Sequence, residues 1–474
     1  MDKENKMKNE VYFACIDVGT TRFKAALVSQ KGEIITRSEY YYHGENDLYH
    51  EYKMSEFKEA LEYTFKRLSD GIDMNKIKAV GITGHGPTLI PVGKDGRALF
   101  AAVGYLDDRV KKYIKRLVER KTDRITSTMY IPIALFFKEE LPEIYKNTHK
   151  FLQSFDYIAF LMTGEFAASS SSKGIKPWDK KSLDKAGLEE EKFPPIHYMG
   201  KRIGNVTESA LKIYGIPENV PVFAVGVDFA AALVGTNTLL KGKSCERSGS
   251  SGGINLCWNS PVNDNRLLSY KHFIHGLWNI AGITSTSGKA LDWINKVLGT
   301  AEFNYRKKTG SNDNDEIVFF PYLKGERTPL WNPYAKGMFF GLTFQHTKDD
   351  LIFSVYLGIV LSLRDCIEII EKNECSFDFP IATTGWGAKK DWFIQLKSDV
   401  TGKSFTKIQV EDAEILGTAI VCTVAAGYYR DIITAADSIV REKKIFTPDK
   451  KKFHHYSRTF MLYKDLQQKL IEYF

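Results

Sequence analysis

Two short turns in this chain combine glycine with hydroxyl side chains. The first is Asp17-Val18-Gly19-Thr20-Thr21, and the second, far along the chain, is Ser248-Gly249-Ser250-Ser251-Gly252-Gly253. Glycine lets backbone N–H groups come close to an anion, and Thr or Ser adds an O–H donor. Such turns suit phosphate. A third feature is Asp228, which ends the apolar run 220–227 and precedes a small-residue stretch. A carboxylate at a strand end and helix N-terminus is either a general base or a plain N-cap, and the residues alone do not choose. For Asp17 alone the plainer reading is a turn aspartate bonding its own backbone.

The elements around these residues follow from pattern. Apolar, β-branched and aromatic runs at 12–16 and 23–28 predict a hairpin closed by the first turn, followed by a third strand at 33–42. Residues 254–258 read as a strand, so the second turn also closes a hairpin. The spacing of Phe57, Leu61, Phe65 and Leu68 predicts a helix over 56–68, capped by Ser55. A short strand at 77–83 leads into Gly84-His85-Gly86-Pro87, and 131–162 reads as largely helical. Helices are expected at 284–298, 350–370, 391–401 and 413–428. The order hairpin, third strand, helix, strand, helix occurs from Tyr12 and again, loosely, from Cys245. It predicts two related α/β halves whose hairpins face each other across a cleft and hold the phosphates of one nucleotide.

Composition narrows the classes. A length of 474 residues predicts two domains. The net charge of +8 is spread thinly, which argues against a nucleic-acid partner. Residues 415–429 are uncharged but shorter than the roughly 18 apolar residues of a membrane span. The charged N-terminal stretch reads as a frayed leader rather than a signal peptide. Six cysteines without a C-x-x-C pair read as core residues in a reducing, cytoplasmic compartment.

Several motifs fail on inspection. Gly242-Lys243-Ser244 and Gly402-Lys403-Ser404 end like a P-loop, but Asn237 and Lys397 stand where its first glycine belongs. No G-x-G-x-x-G follows a strand. His454-His455 lack partners at metal-ligand spacing. Residues 249–253 spell G-x-S-x-G, which keeps a serine hydrolase as an alternative from another class. That elbow needs a helix after the turn, where this chain predicts a strand.

With both turns, Asp228 and the loop Gly385-Trp386-Gly387-Ala388-Lys389 in view, the pattern resembles the FGGY carbohydrate kinases over most of the chain. Ile16-Asp17-Val18-Gly19-Thr20-Thr21 is similar to their first phosphate motif, and Gly249-Ser250-Ser251-Gly252 to the second. Tyr105-Leu106-Asp107-Asp108-Arg109 corresponds to their W-x-D-x-R segment, and Gly226-Val227-Asp228 to G-G-D. Pro321-Tyr322-Leu323-Lys324-Gly325-Glu326-Arg327-Thr328-Pro329 resembles their interdomain segment, and 337–343 their C-terminal signature.

The resemblance implies an α/β fold of two actin-like (ribonuclease H-like) domains with an interdomain ATP and sugar cleft. It divides the chain into a disordered leader at 1–10, an N-terminal domain at 11–243, a C-terminal domain at 244–430 and a helical tail at 431–474 packed on the C-terminal domain. It implies an ATP- and Mg²⁺-dependent kinase of a small sugar, most like xylulokinase, with gluconate, glycerol, ribulose or another polyol as alternative acceptors. A catalytically weak nucleotide-binding member is a further alternative. Asp228 becomes the catalytic base. Gly19, Thr20, Thr21, Gly249, Ser250, Ser251 and Gly252 hold the ATP phosphates. Gly288, Gly385, Gly387 and Ala388 pass under adenosine. Asp17 orients Mg²⁺, partly through water. His85, Asp107 and Asp228 meet the sugar. No membrane partner is expected, and the chain acts as a monomer or homodimer. The sugar side departs from the family: the segment at Gly84 is one residue shorter than Q-M-H-G, and Phe229 replaces the amide that follows the catalytic aspartate.

Overall fold

The computed structural model describes residues 10–43, 51–104, 107–113, 116, 130–299 and 317–473. Tyr105, nearly all of the expected leader at 1–10 and most of the basic stretch at 109–124 lie outside the described residues. Two compact units are formed, Met1–Gly235 with Ala413–Ile439, and Thr236–Asp412 with Val440–Phe474.

The first unit is built on a six-stranded sheet. The expected hairpin is β1 (Tyr12–Val18) and β2 (Arg22–Ser29), paired from Tyr12↔Ser29 to Val18↔Phe23, and β3 (Ile34–Tyr41) continues it antiparallel. All seven residues of β1 are buried, which explains its unbroken apolar run. On its other side β1 pairs in parallel with β4 (Ile77–Gly84), and β4 in parallel with β5 (Pro221–Val227). The edge strand is Arg202–Asn205. The predicted helix at 56–68 is observed as Met54–Leu68, with Lys53 rather than Ser55 at the N-cap.

The span 131–162 is less helical than expected. It breaks into helices Ile131–Glu140 and Pro142–Asn147, a strand Lys150–Leu152, and α1 (Ser154–Thr163). Proline fits only a first turn, so Pro142 starts a new helix. Residues 150–152 pair with the strand Thr88–Val92 in a second, four-stranded sheet. The helix after Asp228 is α2 (Asp228–Gly235).

The second unit holds a seven-stranded sheet. Its centre is the second expected hairpin, β6 (Ser244–Ser248) with β7 (Gly252–Trp258), closed by the pair Ser248↔Gly252. β8 (Trp278–Thr284) lies antiparallel on β7, and β9 (Ile381–Gly385) parallel on β6, with Ser248 opposite Gly385. Helix α3 (Gly288–Val297) packs on α4 (Lys348–Lys372), and α4 and α5 (Asp391–Thr401) pack on this sheet and on each other. A capping box between Thr347 and Asp350 starts α4.

The chain then returns to the first unit as α6 (Ala413–Ala425), packed along α2 and over β1 and β4. By packing, the compact units part at 235/236, and residues 413–439 pack with the first unit. The expected tail is also shared out, with 431–439 in the first unit and the rest, including the helix Lys450–Leu470, in the second. The cause is a glycine crossing. A Cβ on Gly417 would collide with the Ala231 carbonyl, and one on Gly235 with the Ala413 carbonyl. Only paired glycines let the two backbones come this close. All six cysteines are buried thiols. Among the described residues, no helix is long and apolar enough to cross a membrane.

Candidate functional site

In the first unit, three neighbouring parallel strands end side by side. Val18 pairs with Gly84, and Gly84 with Val227. The residues that follow, Gly19, His85 and Asp228, therefore leave the sheet at one edge. The carboxyl ends of parallel strands are where α/β sheets take ligands.

Gly19 donates its N–H to Arg22 O at 3.1 Å, and a Cβ there would lie 2.7 Å from that oxygen. Thr20 is half-buried and Thr21 exposed on the same turn. Asp17 is buried on β1, and its Oδ2 meets Lys24 Nζ at 2.9 Å across the hairpin. The other nearby cation, Arg22, lies 2.8 Å from Glu39.

His85 is buried, and its backbone N–H donates to Val18 O at 2.9 Å. Its Nδ1 lies 2.8 Å from the same carbonyl. A carbonyl only accepts, so Nδ1 carries the proton and Nε2 keeps a lone pair. Among the described residues, Nε2 has no hydrogen-bond partner. Burial pulls the ring below its ordinary pKa, with the Val18 bond and the charge of Asp228 opposing. The Tyr52 ring stands 5.0 Å from it.

A buried polar chain that sequence reading missed adjoins His85. The Tyr130 hydroxyl donates to Gln153 Oε1. Gln153 Nε2 donates to Asp156 Oδ2 at 2.5 Å and to Ser169 O at 2.9 Å, and Ser169 N–H donates to Asp156 Oδ1 at 2.8 Å. Burial pushes Asp156 up to about 7. A Cβ on Gly86 would lie 2.6 Å from the Tyr130 hydroxyl, and the charge of Asp228 reaches Tyr130 as well as His85. Ser171 is buried against Gly226, and among the described residues its hydroxyl has no hydrogen-bond partner. The run of serines at 169–172 was the one visible signal.

Asp107, an expected sugar contact, is held by Arg109. It is fully buried, accepting from Arg109 N–H at 2.9 Å and Nε at 3.0 Å through Oδ1, and from Nη2 at 2.6 Å through Oδ2. Arg109 also bonds Glu51. Both oxygens of Asp107 are thus turned to Arg109.

In the second unit, the 249–252 turn, the start of α3 and the 385–388 loop meet. Gly288 N–H donates to Gly249 O at 3.0 Å, Ser287 N–H to Ser250 O at 3.0 Å, and Trp386 Nε1 to Gly249 O at 3.0 Å. In a trans peptide the carbonyl and the next N–H point opposite ways. With the carbonyls of 249 and 250 turned to α3, the N–H groups of Ser250 and Ser251 face away from it. A Cβ on Gly288 would lie 2.8 Å from Gly249 O, and Gly385, at φ 81°, is packed on the Ser248 carbonyl. Gly387 abuts Ser248, and Ala388 is buried behind it. The turn passes into the strand β7, so the strand–turn–helix order of a hydrolase elbow is not met.

Residues 12–235 match the N-terminal domain of the FGGY family of carbohydrate kinases, and 249–426 its C-terminal domain. The xylulose kinase of Bacillus subtilis (strain 168) is 25% identical over 487 residues, covering 96% of each chain. Among solved structures, gluconate kinase from Lactobacillus acidophilus superposes with a TM-score of 0.86 at 22% identity, covering 98% of this chain and 99% of that one. The ligand-bound xylulose kinase from the same organism reaches 0.84 at 22% identity, covering 97% and 98%. The two-domain, actin-like α/β fold expected from the motifs is the fold of these sugar kinases. With both family domains matched across most of its length, the chain belongs to the FGGY family of carbohydrate kinases and is a sugar kinase.

Proposed function

We propose that this kinase transfers the γ-phosphoryl group of ATP to a hydroxyl of a small sugar, most like D-xylulose, with Asp228 as general base. The row of Gly19, His85 and Asp228 at adjacent strand ends carries this reading: a glycine-and-hydroxyl turn, an imidazole and a carboxylate emerge together. The acceptor oxygen attacks phosphorus, its proton passes to the Asp228 carboxylate, and the bond to the bridging oxygen of the leaving ADP breaks. Asp228 opens α2, whose N–H groups favour an anion there.

The turns at 19–21 and 249–252 would each present N–H and O–H donors to the phosphates, with Gly288, Gly385, Gly387 and Ala388 beneath adenosine. Asp17 is a buried carboxylate at the start of the first turn, paired with Lys24. Mg²⁺ bound with ATP takes water and phosphate oxygens as most of its ligands, so a single carboxylate is enough to orient it. Asp17 would meet it through water, and the bound ion would neutralise charge on the phosphate oxygens. Asp107 remains a proposed sugar contact, oriented by its bonds to Arg109. The six buried thiols support a reducing, cytoplasmic setting.

The names of the relatives favour xylulose, while Phe229 in place of an amide favours a changed set of sugar contacts. A coupled ADP-release screen over pentuloses, hexonates and polyols decides the acceptor. In the same assay Asp228→Asn is expected to lose about 10²- to 10⁴-fold in turnover while still binding ADP. Near-normal turnover in that variant would overturn the assignment.

A further inference from the structure

Below the 249–252 turn lies a charged cluster that phosphate binding does not itself require. Lys397 on α5 is 1% exposed and Glu246 on β6 is 4% exposed. Lys397 Nζ lies 2.5 Å from Glu246 Oε2 and donates to Ser248 Oγ at 2.9 Å and Thr383 Oγ1 at 3.2 Å. The two hydroxyls pass the pattern on. Ser248 donates to Glu246 Oε1 at 2.5 Å and Thr383 to Oε2 at 2.6 Å. All three ammonium protons and both carboxylate oxygens are engaged.

A buried ion pair is a weak source of stability, because desolvating two charges costs about what their attraction returns. Removing one member leaves the other charge stranded, whereas apolar replacement of both is often neutral. The cluster's location gives it another use. Ser248 is the last residue of β6, paired with Gly252 and facing Gly385. Lys397 Nζ would lie 2.9 Å from a Cβ on Gly387, and it stands 4.7 Å over the Phe393 ring. Phe393 stacks on Trp386 at 5.1 Å, and Trp386 holds the Gly249 carbonyl. One ammonium thus touches the base of the phosphate turn and the underside of the 385–388 loop.

We propose that Lys397 is a positioning residue for the nucleotide: through Ser248, Glu246 and the Phe393–Trp386 stack it holds the 249–252 and 385–388 loops in one mutual geometry. The proposal rests on the reading of these loops as the nucleotide site. It predicts that ATP and ADP affinity depend on the cluster even where stability does not.

The test uses the full chain, with ADP titrated calorimetrically, KM measured separately for ATP and for the sugar that supports turnover, and thermal unfolding followed. Lys397→Met alone is expected to unfold at lower temperature. The double variant Glu246→Leu with Lys397→Met is expected to regain most of that stability. It should still bind ADP and ATP about tenfold more weakly, with the sugar KM within about twofold of the parent. Ser248→Ala, which keeps the ion pair but leaves one ammonium proton and Glu246 Oε1 without their hydroxyl partner, is expected to raise the ATP KM in the same direction and to lower the unfolding temperature less than Lys397→Met alone. A folded double variant with parental ADP affinity would overturn the proposal, as would a parental ATP KM in Ser248→Ala if the double variant fails to fold. A parent chain that binds neither ADP nor ATP would overturn the nucleotide reading itself, and is distinguished by its silence before any substitution.

Discussion

His85 shows how a backbone carbonyl can set the chemistry of a side chain. Val18 O fixes the proton on Nδ1 and so leaves Nε2 a lone pair, which the proposed sugar hydroxyl would meet. Burial keeps the ring neutral below the ordinary imidazole range. Two outcomes are expected. His85→Leu raises the sugar KM about tenfold, by loss of one buried hydrogen bond, and leaves the ATP KM unchanged. The pH profile of kcat/KM for the sugar shows no limb near 6.5 from this residue. A limb there that vanishes in the Leu variant would show a titrating imidazole instead. His85 was legible as a loop histidine and candidate sugar contact, but its tautomer was not, because Val18 lies 67 positions away. The same holds for Tyr130, Gln153, Asp156 and Lys397. Lys397 drew notice in the sequence only as the residue that spoils a P-loop.

Among the elements, the hairpins, the parallel strands and most helices were legible because period and turn chemistry are local. What was lost was pairing between distant segments. Residues 150–152 read as helix because their strand partner, Thr88–Val92, lies far upstream. The buried helix at 413–428 was recognised from its apolar run, yet nothing in that run says that it crosses α2. That crossing positions Asp228, since α2 begins there and is held along its length by α6. Gly417→Ala puts a methyl into the Ala231 carbonyl. It is expected to cost about 1–3 kcal/mol or more in chemical denaturation and to reduce turnover beyond the change in folded fraction, as α2 shifts. Unchanged stability would show that the helices separate freely.

For the whole molecule, each unit carries a buried carboxyl whose pKa is pushed up to about 7, Asp156 in the first and Glu326 in the second, desolvation being the main cause in both. In the unfolded chain such groups lose their protons near pH 4. Between that point and pH 7 the folded state holds more protons, so the contribution of these groups to stability falls as pH rises and levels off above about 7. Asp156→Asn is expected to gain on the parent in urea midpoint as pH is raised from 5 to 8. A constant difference between the two across that range would place Asp156 near its ordinary pKa. The number of domains and their family were legible from length and motifs. That residues 413–439 pack with the first unit was not legible, because nothing local in that segment names its distant partners.

The return of residues 413–439 to the first unit bears on how the protein is made. A nascent chain that has emerged only as far as α2 lacks the helix that covers β1, β4 and the glycine face of α2. Those apolar strands stay open while the ribosome synthesises all of 236–412. The half that carries the proposed base is therefore completed only after the middle of its companion, and a product cut short before residue 413 has no means of closing it.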